Sequence, residues 1–294
     1  MMPFDFAEPR TLAEALALLD PEDPTVRPIA GGTALMLMMK SAVFQPTRLV
    51  SLARLEPYLT EIAATEAGGL RIGALATLSA LEGSATVRRF CPVIAGAMAQ
   101  LANVRVRNVA RVGGALAHGD PHMDLPPVAA ALRGEAVITS QGGERSVPVA
   151  DLFRGYFETV LARDELITAL VLPPPAGWST VYLKCTTRAA DDWPALGIAA
   201  SVRQEGGTIV EARLMLGAAA ETLTRLAGAE AVLRDREPDA ALLARATEAA
   251  AAEVGTVADA RGTAAYKTHL LRVYLARALR QALAMPPKAE GEPA

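Results

Sequence analysis

Apolar residues follow two different spacings along this chain. Short, mainly apolar segments at residues 26–30, 48–52 and 166–172 predict buried strands. Thr11, with Glu14 three positions later, predicts a capping box at the start of a helix. Stretches with apolar residues every three or four positions predict helices, and they lie at residues 11–19, 33–40, 87–101 and 125–132.

Gly-Gly pairs separate several of the remaining apolar segments. Gly68-Gly69 lies between segments 62–64 and 70–72, and Gly142-Gly143 lies between segments 136–139 and 145–149. Glycine pairs flanked by alternating strands are typical of β-hairpin turns. Two hairpins are therefore predicted in the middle of the chain.

The run Pro173–Pro175 is a stiff connector, and it predicts a domain boundary. Beyond it, three strands are predicted to form an antiparallel sheet, at residues 180–185, 196–203 and 209–216. Three helices are predicted to follow, at residues 221–234, 238–254 and 263–284. Residues 287–294 are polar and proline-rich, which predicts a disordered tail.

Composition argues against several classes of function. The chain is 51% hydrophobic and 21% charged, its formal net charge is −3, and it has no basic run that would predict nucleic-acid binding. No apolar stretch reaches the roughly 18 residues of a membrane span, and the N-terminus lacks the features of a signal peptide. A cytoplasmic protein without a membrane span is therefore expected. Cys91 and Cys185 are predicted to be buried free thiols, because an iron–sulfur cluster takes about four thiolates.

One glycine pair has a different setting from the hairpin pairs. Gly31-Gly32 joins an apolar strand to an apolar helix, and Thr33 follows as a hydroxyl donor and expected helix cap. Glycine there permits a positive φ and a close ligand approach, and the helix N-terminus favours phosphate. Close packing of strand on helix also requires glycine, so both interpretations stay open at this point.

A second segment combines Gly113-Gly114 with His118, Asp120, His122 and Asp124. A metal site is not favoured, because Pro121 prevents one helix from aligning the two histidines. Asp124 is interpreted as an acceptor for sugar or polyol hydroxyls or as a helix N-cap. Two flexible stretches of main chain suggest a ligand with a central diphosphate that is held from two sides.

The common nucleotide-binding motifs are missing from the sequence. There is no G-x-G-x-x-G after a strand and no G-x-x-x-x-G-K-[ST]. A Rossmann dehydrogenase and a P-loop enzyme are both disfavoured.

Five collinear motifs resemble the FAD-binding medium subunit of the molybdenum hydroxylases, the xanthine dehydrogenase and aerobic carbon monoxide dehydrogenase family. The motifs cover nearly the whole chain, and they are Ala30–Leu35 with Met39-Lys40, Val106–Pro126, Asp164–Pro173, Tyr182–Lys184 with Arg188 and Asp191-Asp192, and the last helix with Tyr266-Lys267, Leu270 and Val273. The resemblance implies an α+β fold with two domains. A PCMH-type FAD-binding domain is expected at residues 1–175, with α/β subdomains at about 1–53 and 54–175. A three-stranded antiparallel sheet with a helical bundle is expected at residues 176–286.

The resemblance also implies which residues bind FAD. Two main-chain stretches would wrap the diphosphate from opposite sides, and Leu101 would lie against the adenine or ribose. Asp124 would bind a cofactor hydroxyl. Ile167 and Lys184 would lie near the isoalloxazine, although a lysine on a strand surface is an alternative for Lys184. The diphosphate residues would be Ala30, Gly31, Gly32, Thr33, Ala34 and Leu35 on one side and Val112, Gly113, Gly114 and Ala115 on the other.

One position departs from the family pattern. Arg111 stands where the family usually has Thr or Ser. It is carried over as a cofactor-binding residue that would either pair with phosphate or point outward and leave binding to the backbone.

The implied function is electron transfer without a catalytic residue or metal site in this chain. A large molybdopterin-binding subunit and a small subunit with two [2Fe–2S] clusters are the expected partners, in a dimer of heterotrimers. Electrons would pass from the clusters through FAD to an external acceptor. Two alternatives are a self-contained flavin oxidase with FAD linked to a histidine such as His118, and a scaffold subunit that has lost its flavin.

Overall fold

The computed structural model describes residues 3–285, and the tail predicted at residues 287–294 lies outside them. Near the N-terminus, three strands form a parallel sheet in the order β1-β3-β2. Strand β1 was not predicted, because its three residues are an edge segment without an apolar run. The predicted capping box of Thr11 and Glu14 is confirmed. The elements are β1 (Asp5–Ala7), α1 (Leu12–Ala17), β2 (Val26–Ile29), α2 (Leu35–Lys40) and β3 (Arg48–Ser51).

The middle of the chain contains a second sheet and a group of short helices. The two predicted hairpins are confirmed, and the sheet order is β4-β5-β10-β6-β7. Strand β10 has the predicted bounds. The elements are β4 (Ile62–Ala64), β5 (Leu70–Gly73), α3 (Leu78–Gly83), α4 (Ala85–Phe90), α5 (Pro92–Ala99), α6 (Val104–Val109), α7 (Val112–Ala117), α8 (Leu125–Ala131), β6 (Glu135–Ser140), β7 (Gly143–Pro148), β8 (Phe153–Gly155), β9 (Glu158–Thr159) and β10 (Leu166–Leu172).

The prediction of one helix over residues 87–101 was wrong. Two helices, α4 and α5, meet at Cys91, whose φ of −143° and ψ of 66° are not helical. Pro92 follows directly, and proline disfavours helical geometry in the residue before it. The chain therefore changes direction at Cys91.

After the proline connector, an antiparallel sheet is followed by three helices. The sheet has four strands within the described residues, and not the three that were expected, because Thr224-Arg225 pairs with Met215 and Leu216. This pairing also delays the first helix, which was predicted from residue 221. The elements are β11 (Trp178–Thr186), β12 (Pro194–Glu205), β13 (Thr208–Gly217), β14 (Thr224–Arg225), α9 (Ala227–Leu233), α10 (Ala240–Glu253) and α11 (Ala264–Ala282).

The C-terminal sheet is buried on both faces. Ile198 and Leu214 belong to a core formed with α9, α10 and α11. Tyr182, Ala199 and Met215 point the other way, into the core of the N-terminal half. The second face therefore brings side chains of β11 to the segment around Asp120–Leu125. None of the helices in residues 3–285 is both long and apolar enough to cross a membrane.

Candidate cofactor-binding site

The first glycine stretch packs directly on the second. A Cβ atom at Gly31 would collide with the carbonyl group of Val109, at the end of α6. Gly32 has a φ of +67°, a left-handed conformation that favours glycine. Gly31 thus lies against residues 109–110, a few positions before the second predicted stretch begins at Val112.

The first stretch presents a row of unused amide groups. Within residues 3–285, the N–H groups of residues 31–35 donate no hydrogen bond to the protein. Consecutive free amides of this kind form a concave site for an anion. The prediction that Thr33 caps the helix was wrong, since the N-cap residue is Ala34 and no side chain makes a capping bond. Because α2 has only six residues, anion binding at this stretch would depend on the free amides and not on a long helix dipole.

The second glycine pair lies in the first turn of α7, and not in the flexible loop that the sequence suggested. The N–H groups of Val112 and Gly113 donate to the carbonyl groups of Ala76 and Ala74, at 3.1 and 2.7 Å. Ala115 donates to Arg111. Gly114 differs from these three, because its N–H has no protein acceptor in the described chain and a Cβ added to it would meet open space.

The departure at Arg111 has a structural explanation. Its guanidinium Nη1 donates to the carbonyl oxygen of Leu75 at 2.8 Å. Burial lowers the pKa of this arginine. The side chain is therefore tied to neighbouring main chain, and it does not point freely into solvent.

Asp124 and Lys184 form a buried ion pair. Lys184 Nζ lies 3.0 Å from Asp124 Oδ2, and the side chains are 2% and 5% exposed. The surface alternative for Lys184 was therefore wrong. The Tyr182 hydroxyl donates to Asp124 Oδ1 at 2.6 Å. Asp124 stands at the N-cap of α8 but makes no capping bond, because these two side chains hold its carboxylate.

The charge balance at this pair is set by burial and by its two donors. Burial raises the pKa of Asp124, against the charge of Lys184 and the hydrogen bond from Tyr182. Burial also raises the pKa of Tyr182 well above its ordinary value, and Asp124 adds to the effect. Tyr182 therefore serves as a hydrogen-bond donor.

The other two predicted residues lie near these groups. Leu101 is buried, and its neighbour Gln100 accepts a second hydrogen bond from Lys184 Nζ at 2.9 Å. Ile167 is buried in β10, beside a bulge. Its carbonyl oxygen would lie 3.4 Å from a Cβ at Gly113. Leu101 thus adjoins the Asp124–Lys184 pair, and Ile167 adjoins α7.

The histidines of the second segment have different surroundings. The ring of His118 lies 5.0 Å from that of Phe157, and burial lowers the pKa of His118 against a raising effect of Asp120. His122 lies between Asp120 and Asp259. In the described part of the chain, no group of three or more His, Cys, Asp or Glu side chains could hold a metal ion.

Comparison with known proteins identifies the family. Residues 2–175 match the FAD binding domain in molybdopterin dehydrogenase, and residues 181–282 match the CO dehydrogenase flavoprotein C-terminal domain. The chain belongs to the FAD-binding medium subunits of the molybdenum hydroxylase family. It is an oxidoreductase subunit with a FAD-binding domain.

Similar chains cover almost the full length. The carbon monoxide dehydrogenase medium chain of Hydrogenophaga pseudoflava is 32% identical, over 96% of this chain and 97% of its own. The glyceraldehyde dehydrogenase medium chain of Sulfolobus acidocaldarius is 28% identical, over 95% and 98%. A solved structure of the Hydrogenophaga pseudoflava carbon monoxide dehydrogenase that lacks the Mo-pyranopterin moiety matches with a TM-score of 0.92 and 33% identity, over 97% and 99%.

The residues of this medium subunit fit a dinucleotide flavin. Five consecutive amides at residues 31–35 and the amide of Gly114 have no protein acceptor in the described chain. A diphosphate offers acceptor oxygens to both. Two contributors were missed as individual residues, namely Tyr182 and the carbonyl of Gln100. Tyr182 lies two positions before Lys184, so strand alternation could have placed both on one face.

Proposed function

We propose that this chain holds FAD as the electron-transfer centre of a molybdenum-containing hydroxylase or dehydrogenase complex. The observation that supports the proposal is the row of unused N–H groups at residues 31–35, together with the unused N–H of Gly114. Amides that are already fixed in place bind a diphosphate without reorganisation. When bound, FAD supplies the redox chemistry, and the protein supplies binding, orientation and electrostatics.

Individual residues of the chain have distinct roles in this proposal. Residues 30–35 and residues 111–115 hold the diphosphate, with Gly114 as the close-approach position. Lys184 brings a positive charge toward the isoalloxazine, and Asp124 fixes the position of that charge through the 3.0 Å ion pair. Ile167 provides an apolar wall, and Leu101 lies toward the adenine or ribose. Arg111 supports the second stretch through its bond to Leu75.

The partners in this proposal are a large molybdopterin-binding subunit and a small subunit with two [2Fe–2S] clusters. They assemble with this chain as a dimer of heterotrimers in the cytoplasm, and electrons pass from the clusters through FAD to an external acceptor. This chain has two thiols, Cys91 and Cys185, and both are buried, so it cannot supply the ligands of such clusters itself. The substrate belongs to the large subunit, and relatives with carbon monoxide or glyceraldehyde in their names share this medium-chain architecture.

A flavin titration tests the proposal. The apo chain is titrated with FAD, the quenching of flavin fluorescence gives the dissociation constant, and the complex is then precipitated with acid. Tight binding followed by release of intact FAD supports the proposal. A flavin that stays attached after acid treatment supports the His118-linked oxidase, and a chain that takes up no flavin supports the scaffold alternative. Co-expression with a large molybdopterin-binding subunit and a small [2Fe–2S] subunit tests the assembly, because the three chains should purify as one complex.

A further inference from the structure

His122 lies at the centre of a second buried polar cluster that connects the two halves of the chain. Its Nδ1 atom lies 2.9 Å from Asp120 Oδ1, and its Nε2 atom lies 3.0 Å from Asp259 Oδ2. The His122 backbone N–H donates to the same Asp120 oxygen at 2.9 Å. The His122 side chain is 7% exposed. Each ring nitrogen therefore faces one carboxylate oxygen, one near in sequence and one 137 residues away.

Lys267 completes the cluster from α11. Its Nζ atom donates to Asp259 Oδ2 at 2.8 Å and to the carbonyl oxygen of Ala218 at 2.8 Å, and its side chain is 1% exposed. Burial acts to raise the pKa of Asp259, but the hydrogen bonds from Lys267 and His122 outweigh it and lower that pKa to about 2. Asp259 is thus an ionised acceptor for both side chains. Asp259 is 24% exposed, whereas the Lys267 ammonium that it pairs with is buried, and an unpaired buried charge is costly.

The same cluster fixes main chain as well as side chains. The Ala218 N–H donates to the carbonyl oxygen of Pro121 at 2.8 Å, directly before His122. Two residues after His122, Asp124 is held by Tyr182 and Lys184. The C-terminal half therefore holds the segment from Asp120 to Asp124 by two sets of contacts. The contacts of Asp124 with Tyr182 and Lys184 involve residues already assigned to the flavin site. The contacts around His122 and Pro121 involve none of those residues.

We propose that His122 is a positioning residue for the flavin site. By joining Asp120 to Asp259, it sets the course of the segment that ends at Asp124, and through Asp124 it sets where the Lys184 ammonium meets the isoalloxazine. The proposal rests on the proposed function. His122 itself does not touch the cofactor in this arrangement, since both of its ring nitrogens are engaged by carboxylates.

Two substitutions at His122 separate positioning from simple packing. His122→Leu removes both ring contacts and keeps an apolar side chain of similar reach. His122→Gln keeps an N–H donor at the end of the side chain, close to the position from which the histidine Nε2 faces Asp259 in the wild type. The matched control is Arg133→Gln, at another contact of the two halves, where the guanidinium of Arg133 stacks on the Trp178 ring at 4.4 Å.

The measurements are the FAD dissociation constant, the midpoint potential of the bound flavin and the melting temperature of each apo chain. We expect His122→Leu to weaken FAD binding by about tenfold, the cost of unpaired buried groups, and to shift the potential. We expect His122→Gln to restore most of both. Arg133→Gln is expected to lower the melting temperature and to leave affinity and potential unchanged.

Each outcome has one meaning. If His122→Leu lowers only the melting temperature, or if Arg133→Gln changes the potential as much as His122→Leu does, the positioning role is wrong. If His122→Gln fails to restore the potential, a donor to Asp259 is not enough to position the segment, and the proposal is overturned. A wild-type chain that takes up no FAD overturns the proposed function, whereas a wild-type chain that binds FAD alongside an unaffected His122→Leu variant overturns this inference alone.

Discussion

The Tyr182 hydroxyl donates to Asp124 Oδ1 at 2.6 Å, and this bond joins the C-terminal sheet to the start of α8. Tyr182 is buried, and a Cβ atom at Gly197 on the neighbouring strand would lie 2.7 Å from its oxygen. The tyrosine therefore has little freedom to turn away from Asp124. Asp124 is oriented by a residue of the other half before any cofactor arrives.

Tyr182→Phe is expected to lower the free energy of unfolding by about 1–3 kcal/mol, because Asp124 loses a buried donor while the ring stays in place. We also expect weaker FAD binding, since the freed carboxylate can rotate away from Lys184. Chemical denaturation and flavin titration measure the two effects. Tyr58→Phe is the control, because Tyr58 is 40% exposed. Equal losses in both variants would contradict a specific role for the Asp124 contact.

The ion pair of Asp124 and Lys184 is expected to show strong coupling. Lys184→Met leaves the buried carboxylate without its cation and is expected to cost about 3–5 kcal/mol of stability. Adding Asp124→Asn should recover part of this loss, so that the double variant loses less than the sum of the single variants.

The exposed pair Arg272–Glu248 provides the matched cycle, with side chains 39% and 64% exposed. Its coupling is expected to be about 0–1 kcal/mol, as for surface pairs in general. Similar coupling energies in the two cycles would show that Asp124 and Lys184 behave as a solvated pair.

Local sequence patterns predicted most elements because those elements depend on neighbouring residues. The segment Leu166–Leu172 was predicted with the observed bounds, since six of its seven residues are apolar and it ends at prolines. The hairpin turns at Gln141 and Gly142, and Gly143, which pairs with Ser140, has a positive φ of +128°. Thr11 and Glu14 bond reciprocally within one helical turn. In each case the physical cause lies within a few residues.

The failed predictions and the contacts that were not predicted depend on distant residues or on competing local effects. Thr224-Arg225 forms a strand because β13 offers an edge, which no local spacing reveals. His122 contacts Asp259, 137 residues away in the sequence. The spacing of apolar residues indicates which face of an element is buried, but it does not indicate which distant residue packs there. Gly113-Gly114 was interpreted as flexible main chain beside a helix start or a turn, yet both glycines lie within α7, with Gly113 packed against Ala74.

Cys91 is expected to make stability fall at high pH. Burial raises the pKa of this thiol to about 11. A group whose pKa is raised in the folded state stabilises the fold below its unfolded pKa, and the contribution disappears as the pH rises through the folded value. The advantage of the wild type over Cys91→Ala should therefore shrink by about 2–3 kcal/mol between about pH 9 and about pH 11. Denaturation at several pH values measures this difference, and a constant difference would contradict it.

Gly114→Ala is expected to separate cofactor binding from folding. A methyl group at this position meets no protein atom within 4 Å, so the apo fold accepts it. Alanine is also the better helix former, by about 0.5–1 kcal/mol. The apo chain should therefore be as stable as the wild type or slightly more stable. The same methyl group would occupy the space through which a diphosphate oxygen reaches the Gly114 N–H.

Gly96→Ala is the matched control for this substitution. Gly96 lies within α5, and a Cβ atom there also meets no protein atom within 4 Å. Both variants should gain similar stability, but only Gly114→Ala should weaken FAD binding, by about 10- to 100-fold for a lost hydrogen bond to a charged group. Thermal melts of the apo chains measure the stability, and flavin titrations measure the FAD affinity. If Gly114→Ala binds FAD as tightly as Gly96→Ala does, the diphosphate does not lie against the Gly114 N–H of α7.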